Sequence, residues 1–193
     1  VPGIEDRDIA HAGEVPVVMG VASSSLELRE LKPASWIAVQ SIPHIVASCL
    51  TYADDLEARL LTVSTGCGSG LDAVALAADQ IRAGKAEVAL AGAADSVMSR
   101  FVFECFAKSR KLSTRNDEPD KASRPFDRDR DGGVAAEGSG LLVLENLESA
   151  LARGVEPYAE LLGYGTSADR PGCEEGTGLE RAMRMALANS CLR

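Results

Sequence analysis

The feature that most constrains the fold is a short apolar run, residues 60–64 (LLTVS), entering a glycine-rich turn, Gly66-Cys67-Gly68-Ser69-Gly70. The chain leaves that turn as a helix: Leu71, Val74, Ala75, Ala78 and Ile81 recur at offsets of 3, 4, 7 and 10, the stripe of an amphipathic segment. Gly84 stands where such a helix ends on a residue of positive φ. Residues 87–91 (EVALA) read as the next strand, so residues 60–91 form a β-α-β unit with the right-handed crossover such units adopt. Strand and helix alternating in this way place the chain in the α/β class.

The rest of the chain continues the alternation. Residues 15–22 (VPVVMGVA) read as a strand ending in a serine-rich turn at residues 23–25. Pro33 and Pro43 break residues 27–46 into short pieces, and residues 45–52 read as a short helix. Residues 100–111 mix apolar and basic side chains in short helical turns. Residues 113–133 are polar and rich in Asp, Arg and Pro; an irregular stretch of about 20 residues inside a compact domain is usually functional or a covering element. Residues 141–144 read as a strand, residues 147–153 as a short helix closed by Gly154, and residues 158–164 as a further strand. After a loop over residues 165–178, Leu179, Met183, Ala186 and Leu187 mark a last helix.

Composition narrows the function. With 193 residues, 46% of them hydrophobic and 25% charged, the chain reads as one soluble globular domain. No apolar run reaches the ~18 residues of a membrane span, and the basic start and apolar core of a signal peptide are missing. A net charge of −9 argues against nucleic acid and anionic membranes as partners. Five scattered cysteines with no C-x-x-C pair read as reduced thiols of a cytoplasmic protein. The two histidines, His11 and His44, have no second ligand at metal-binding spacing, so neither a metal nor another cofactor is expected.

Cys67 is the residue on which chemistry would turn. A side chain on a strand-to-helix turn is presented at a helix N-terminus, where unpaired N–H groups and the helix dipole favour negative charge, and so favour a thiolate. Flanking glycines permit strained backbone angles and close approach of a carbonyl substrate. The backbone N–H of Cys67 can serve as one oxyanion donor, which makes the turn a nucleophile elbow with sulfur in place of oxygen. The expected chemistry is a covalent acyl-thioester. Two readings stay open on the local sequence: a small buried cysteine in a tight β-α turn, and a glycine-rich loop holding adenosylmethionine against backbone N–H groups. Against the second, Ser64 and Thr65 stand where methyltransferases carry an acidic residue.

Beyond the turn, three further blocks follow in order: A-D-Q-I-R-A-G-K-A-E-V-A-L-A-G-A-A-D, then residues 111–145 from K-L-S-T-R-N-D to L-L-V-L-E, then Y-A-E-L-L-G-Y-G-T-S-A-D. With V-S-T-G-C-G-S-G they run from residue 63 to residue 169, and in order and spacing the chain resembles the β-ketoacyl-[acyl-carrier-protein] synthases, condensing enzymes of the thiolase fold. The resemblance implies a thiolase-like layered α/β/α fold, with residues 1–193 supplying its N-terminal half only. It implies that Cys67 takes an acyl group from an acyl carrier protein or coenzyme A. That acyl group is then attacked by the carbanion that a malonyl thioester forms on losing carbon dioxide, the condensation step of fatty-acid biosynthesis. Phe106 matches a position at the mouth of the family's acyl pocket; a plain core aromatic is the alternative. At Gly66 and Gly68, also placed beside the substrate, the sequence departs from the family, which more often has Ala and Ala or Thr there. That departure bears on the shape of the acyl pocket.

The family's decarboxylating groups do not occur here: no H-G-T segment, no second catalytic histidine after G-H, and no N-x-F-G-F-G-G loop. His11 and His44 match neither catalytic position and read as surface or packing residues. A catalytically incomplete structural or assembly subunit is therefore the second expectation. Because carrier proteins are acidic, an acidic synthase needs a local basic patch. Lys108, Arg110 and Lys111, with Arg115, form the densest one, and a solvated face with no partner is its alternative. Alternating charges in residues 124–131 (RPFDRDRD) read as a salt-bridged loop and not a metal loop, since each Arg neutralises a carboxylate a cation would need. The resemblance implies a homodimer, as in the family, and half a fold would leave apolar faces and sheet edges uncovered.

Overall fold

The computed structural model describes residues 15–22, 42–54, 56–172 and 176–190. The serine turn, most of residues 27–46, His11, Cys173 and Cys191 lie outside them. The sheet has four strands, β1 (Val15–Gly20), β2 (Ala58–Val63), β3 (Val88–Ser96) and β4 (Glu137–Glu145), in the spatial order β2-β1-β3-β4. β1 pairs parallel with both β2 and β3, whereas β4 runs antiparallel to β3. Strand alternation sorts the core into two faces. Val15, Val17, Met19 and Leu90 pack with Ala47 of α1 (Ile45–Asp54). Val18, Ala89 and Ala91 pack with Ala73 and Ala77 of α2 (Ser69–Arg82). Helix, sheet and helix thus form the layered α/β/α arrangement that the family resemblance implies.

Three expectations change in detail. β1 lies between the two strands of the β-α-β unit, a placement the sequence leaves open. Every residue of β1 (VPVVMG) is buried, as a strand covered on both faces requires, while β2 carries exposed Arg59 and sits at the edge. Leu71 is not on the packed face of α2: it is 80% exposed, and Ser69, Ala73 and Ala77 make the contact instead. The reason is the closeness of approach. A Cβ at Gly20 would lie 2.3 Å from the Ser69 carbonyl, so the first turn of α2 rests on the β1 backbone and only small residues fit.

Within residues 100–111 lies one helix, α3 (Arg100–Lys108), in place of separate turns. Ser99 caps it, its Oγ accepting the Val102 N–H at 3.2 Å, an arrangement worth about 1 kcal/mol. Residues 158–164 form no regular element and pair with no strand among the described residues. Side chains take the place of a ladder there. Arg82 Nη2 donates to the Leu161 and Leu162 carbonyls at 2.8 and 3.3 Å, and Asn189 Nδ2 to the Tyr164 carbonyl at 2.9 Å. α4 (Leu147–Ala152), capped by Asn146, and α5 (Thr177–Asn189) complete the fold. Among the described residues no helix is long and apolar enough to cross a membrane.

The polar segment 113–133 is irregular apart from one 3-10 turn, Pro119–Lys121, and its two ends are pinned together. The Ser113 N–H donates to the Gly133 carbonyl at 2.8 Å and the Gly133 N–H to the Lys111 carbonyl at 2.9 Å. Asp131 accepts the Ser113 hydroxyl at 2.8 Å and the Thr114 N–H at 3.1 Å, which together hold its carboxyl below the usual carboxylate range. Inside the loop, Arg124 pairs with Asp127 at 3.0 Å.

Asp169 anchors the start of α5 in the same manner, accepting the Gly178 and Gly176 N–H groups and the Thr177 hydroxyl. These bonds depress its carboxyl below the ordinary value of 3.8. A carboxylate whose folded-state value is depressed stabilises the fold above its unfolded value, and that contribution is lost as pH falls through the folded one. Asp169→Asn should therefore lower the melting temperature at neutral pH. The gap between variant and parent should close as the pH is taken well below 3.8; a gap independent of pH would refute the anchoring role.

Candidate active site

Because β1, β2 and β3 are mutually parallel, their carboxyl ends share one edge of the sheet, the edge at which open α/β sheets place their ligand sites. Cys67 stands there, on a 3-10 turn, Gly66–Gly68, that runs directly into α2. Gly66 holds φ at +76°, a left-handed conformation that any side chain would strain. Gly68 has an ordinary φ of −84°, and a Cβ there would meet only Asp72 Oδ2, at 4.0 Å. Ser69, 3% exposed, stitches the turn: its Oγ accepts the Thr65 N–H at 2.9 Å and donates to the Gly66 carbonyl at 2.6 Å. On this frame Cys67 is free and exposed, so it is not the small buried cysteine of a tight turn.

A cavity of about 270 Å³ lies on the same edge. Val97, which follows β3, and Val134, Ala135 and Ala136, which lead into β4, form its apolar walls with Phe106 and Leu112. Lys111 and Gly133 complete the lining, so the pinned neck of the 113–133 loop is one wall of the cavity. The structure therefore brings Phe106 and Lys111 together. Gly66 and Gly68 flank Cys67 and do not line this cavity. Lys108 and Arg110 are exposed at the end of α3, with Arg110 in a left-handed conformation, φ 57°. His44 Nδ1 lies 3.1 Å from Thr62 Oγ1 on β2. Among the described residues no cluster of His, Cys, Asp or Glu could hold a metal ion.

Three residues at the turn escape a sequence reading. Thr65 and Thr166 both donate their hydroxyls to Asp72, in the first turn of α2. An acidic residue in a first helical turn is ordinary, and Thr166 is remote in sequence, so nothing local marks them.

The layered sheet, with a cysteine turn at the carboxyl ends of its parallel strands, is the thiolase-type fold of solved ketosynthases. Residues 2–150 match the family described as beta-ketoacyl synthase, N-terminal domain, and the chain belongs to that family. It is 47% identical over 177 residues to the 3-oxoacyl-[acyl-carrier-protein] synthase 2 of Rhizobium meliloti, covering 87% of this chain and 42% of that protein. It is 48% identical over 154 residues to a putative polyketide beta-ketoacyl synthase 1 of Streptomyces cyaneus, covering 75% of this chain and 36% of that one. A ketosynthase solved in complex with its type II polyketide acyl-carrier protein superposes with a TM-score of 0.77 at 28% identity, covering 94% of this chain and 50% of that chain. The chain thus spans half or less of the length of these relatives. Their names leave the adenosylmethionine reading of the glycine-rich turn without support.

Proposed function

We propose that Cys67 is the acyl-accepting nucleophile of a β-ketoacyl synthase and that the cavity beside Phe106 receives the acyl chain. The observation that carries this is an exposed, unpaired thiol on a left-handed glycine turn at a helix N-terminus, on the same sheet edge as an apolar cavity. The thiolate attacks the carbonyl of an acyl thioester, the oxyanion is held in part by the Cys67 backbone N–H, and the carrier thiol leaves. In the second step a malonyl thioester loses carbon dioxide, and its carbanion attacks the Cys67 acyl group and releases the thiolate. The groups that drive decarboxylation in this family are not in the 193 residues, so this step needs residues the chain does not contain. Relatives named 3-oxoacyl-[acyl-carrier-protein] synthase and relatives named polyketide beta-ketoacyl synthase both match; fatty-acid synthesis is the pathway proposed. Incubation with an acyl-coenzyme A should add one acyl mass to the chain, on the peptide that holds Cys67. Transfer with no decarboxylation would favour the incomplete-subunit reading.

An acyl carrier protein is the proposed donor. The carrier-protein complex of a related ketosynthase supports this, as does the cationic run Lys108, Arg110 and Lys111 beside the cavity on a chain of net charge −9. Steering of this kind acts through local potential and is weakened by salt. Charge reversal at Arg110 should weaken carrier binding about tenfold at low ionic strength and less in high salt; unchanged affinity would remove the patch from the interface. Self-association as a homodimer is also proposed, and the uncovered sheet edges support it. β2 and β4 are the sheet's edge strands among the described residues, and Leu141, Leu142 and Val143 of β4 are exposed. A single-chain mass in light scattering would count against it.

A further inference from the structure

Asp72 has no part in the reaction as written, yet both of its carboxylate oxygens are engaged beside the nucleophile. It is half-buried in the first turn of α2, where the helix dipole alone favours a negative charge. Its partners, however, lie outside the helix. Oδ2 accepts the hydroxyl of Thr65, the residue that joins β2 to the Cys67 turn. Oδ1 accepts the hydroxyl of Thr166 at 3.2 Å, from the irregular segment whose Leu161 carbonyl is bound by Arg82 of α2. The same Oδ2 is the one heavy atom that a Cβ at Gly68 would meet within 4 Å. The carboxylate therefore borders the turn on both sides of Cys67.

Bracing of this kind is needed because the turn has so little of its own. Neither Gly66 nor Gly68 offers a side chain to lock it, and glycine gains most from loosening. Thr65 is held twice, its backbone N–H by Ser69 Oγ at 2.9 Å and its side chain by Asp72. Loss of the second hold frees the residue two places before the nucleophile. A displacement of about 1 Å at a reacting group can slow its chemistry by up to ~100-fold.

We propose that Asp72 is a positioning residue for Cys67, fixing the nucleophile turn through Thr65 and tying it to the 158–166 segment through Thr166. This rests on the reading of Cys67 as the acyl-accepting nucleophile. The role is one of geometry: Asp72 touches neither the thiol nor the substrate in the reaction written above.

The test is single-turnover acylation of the full chain by an acyl-coenzyme A, read by mass at Cys67, with melting temperatures taken alongside. Thr65→Val leaves every charge in place and removes only the hydroxyl. It should slow acylation about tenfold at saturation with the half-saturating concentration unchanged, and Thr65→Ser should restore the rate. Asp72→Asn should slow it similarly, and Asp72→Asn combined with Thr65→Val should be no slower than the slower single variant, because both cut one link. Rates within about twofold of the parent in folded Thr65→Val, or losses that simply multiply in the double variant, would overturn the proposal. If the parent takes no acyl group on Cys67, the nucleophile reading itself fails. Alkylation of Cys67 by iodoacetamide then decides the positioning role, and equal rates in the parent and Thr65→Val would overturn that too.

Discussion

Replacing Cys67 by Ala should abolish acyl transfer to the chain, by about a thousandfold or more in rate, with little change in melting temperature. Both halves of this expectation follow from where the side chain sits. Cys67 is exposed on the 3-10 turn, so trimming it to a methyl group opens no cavity in the core and breaks no hydrogen bond in the stitch made by Ser69. The reaction, by contrast, has no substitute for sulfur at that place. Cys49 and Cys105 are also free and exposed, but they lie on α1 and α3, away from the N-terminus of α2. Acyl label that persists on the Cys67→Ala chain, or that maps to Cys49 or Cys105 in the parent, would displace Cys67 from the role proposed for it.

Gly66→Ala and Gly68→Ala should part company, although both add one methyl group beside the same cysteine. At Gly66 the added Cβ meets nothing within 4 Å, so space is not the obstacle; the backbone is, at φ +76°. Holding a residue with a side chain there costs roughly 1–2 kcal/mol, or about 2–8 °C in melting temperature for a domain of this size. The turn escapes part of that cost by changing shape, which displaces Cys67 and should slow acylation at least about tenfold. At Gly68, φ is −84° and the nearest contact is an ordinary 4.0 Å to Asp72 Oδ2, so Ala should be accepted with nearly parental stability and rate. Equal effects at the two positions would mean that the left-handed turn is not what holds the thiol in place.

The parts of this fold that were legible in the sequence are those set by local periodicity and turn chemistry. Alternation and helical spacing over residues 60–91, with Gly84 at the helix end, mark β2, α2 and β3 without any neighbour being known. Cys67 is legible for the same reason, since a residue between two glycines on a strand-to-helix turn is a local pattern. What escaped is decided between distant segments. The insertion of β1 between β2 and β3 depends on which strand is apolar enough to be covered on every side. The exposure of Leu71 depends on Gly20, far back in the chain, which brings helix and sheet too close for a large side chain. Residues 158–164 read as a strand, but no strand among the described residues pairs with them, and Arg82 and Asn189 bind carbonyls of that stretch instead. Asp72 escaped because its meaning lies in Thr65 and Thr166, and a carboxylate at the start of a helix has an unremarkable explanation of its own.

The pinned neck of the 113–133 loop separates two kinds of change that sequence drift could make there. Ser113, Asp131 and Gly133 close the loop on itself at the wall of the cavity, so the cavity senses the neck and not the excursion beyond it. For a loop whose ends are already fixed, doubling its length costs only about 0.6 kcal/mol in closure entropy. The outer part of the loop, from Asn116 to Asp129, can thus change in length at little cost to the cavity wall. A change of one residue at the neck alters that wall directly.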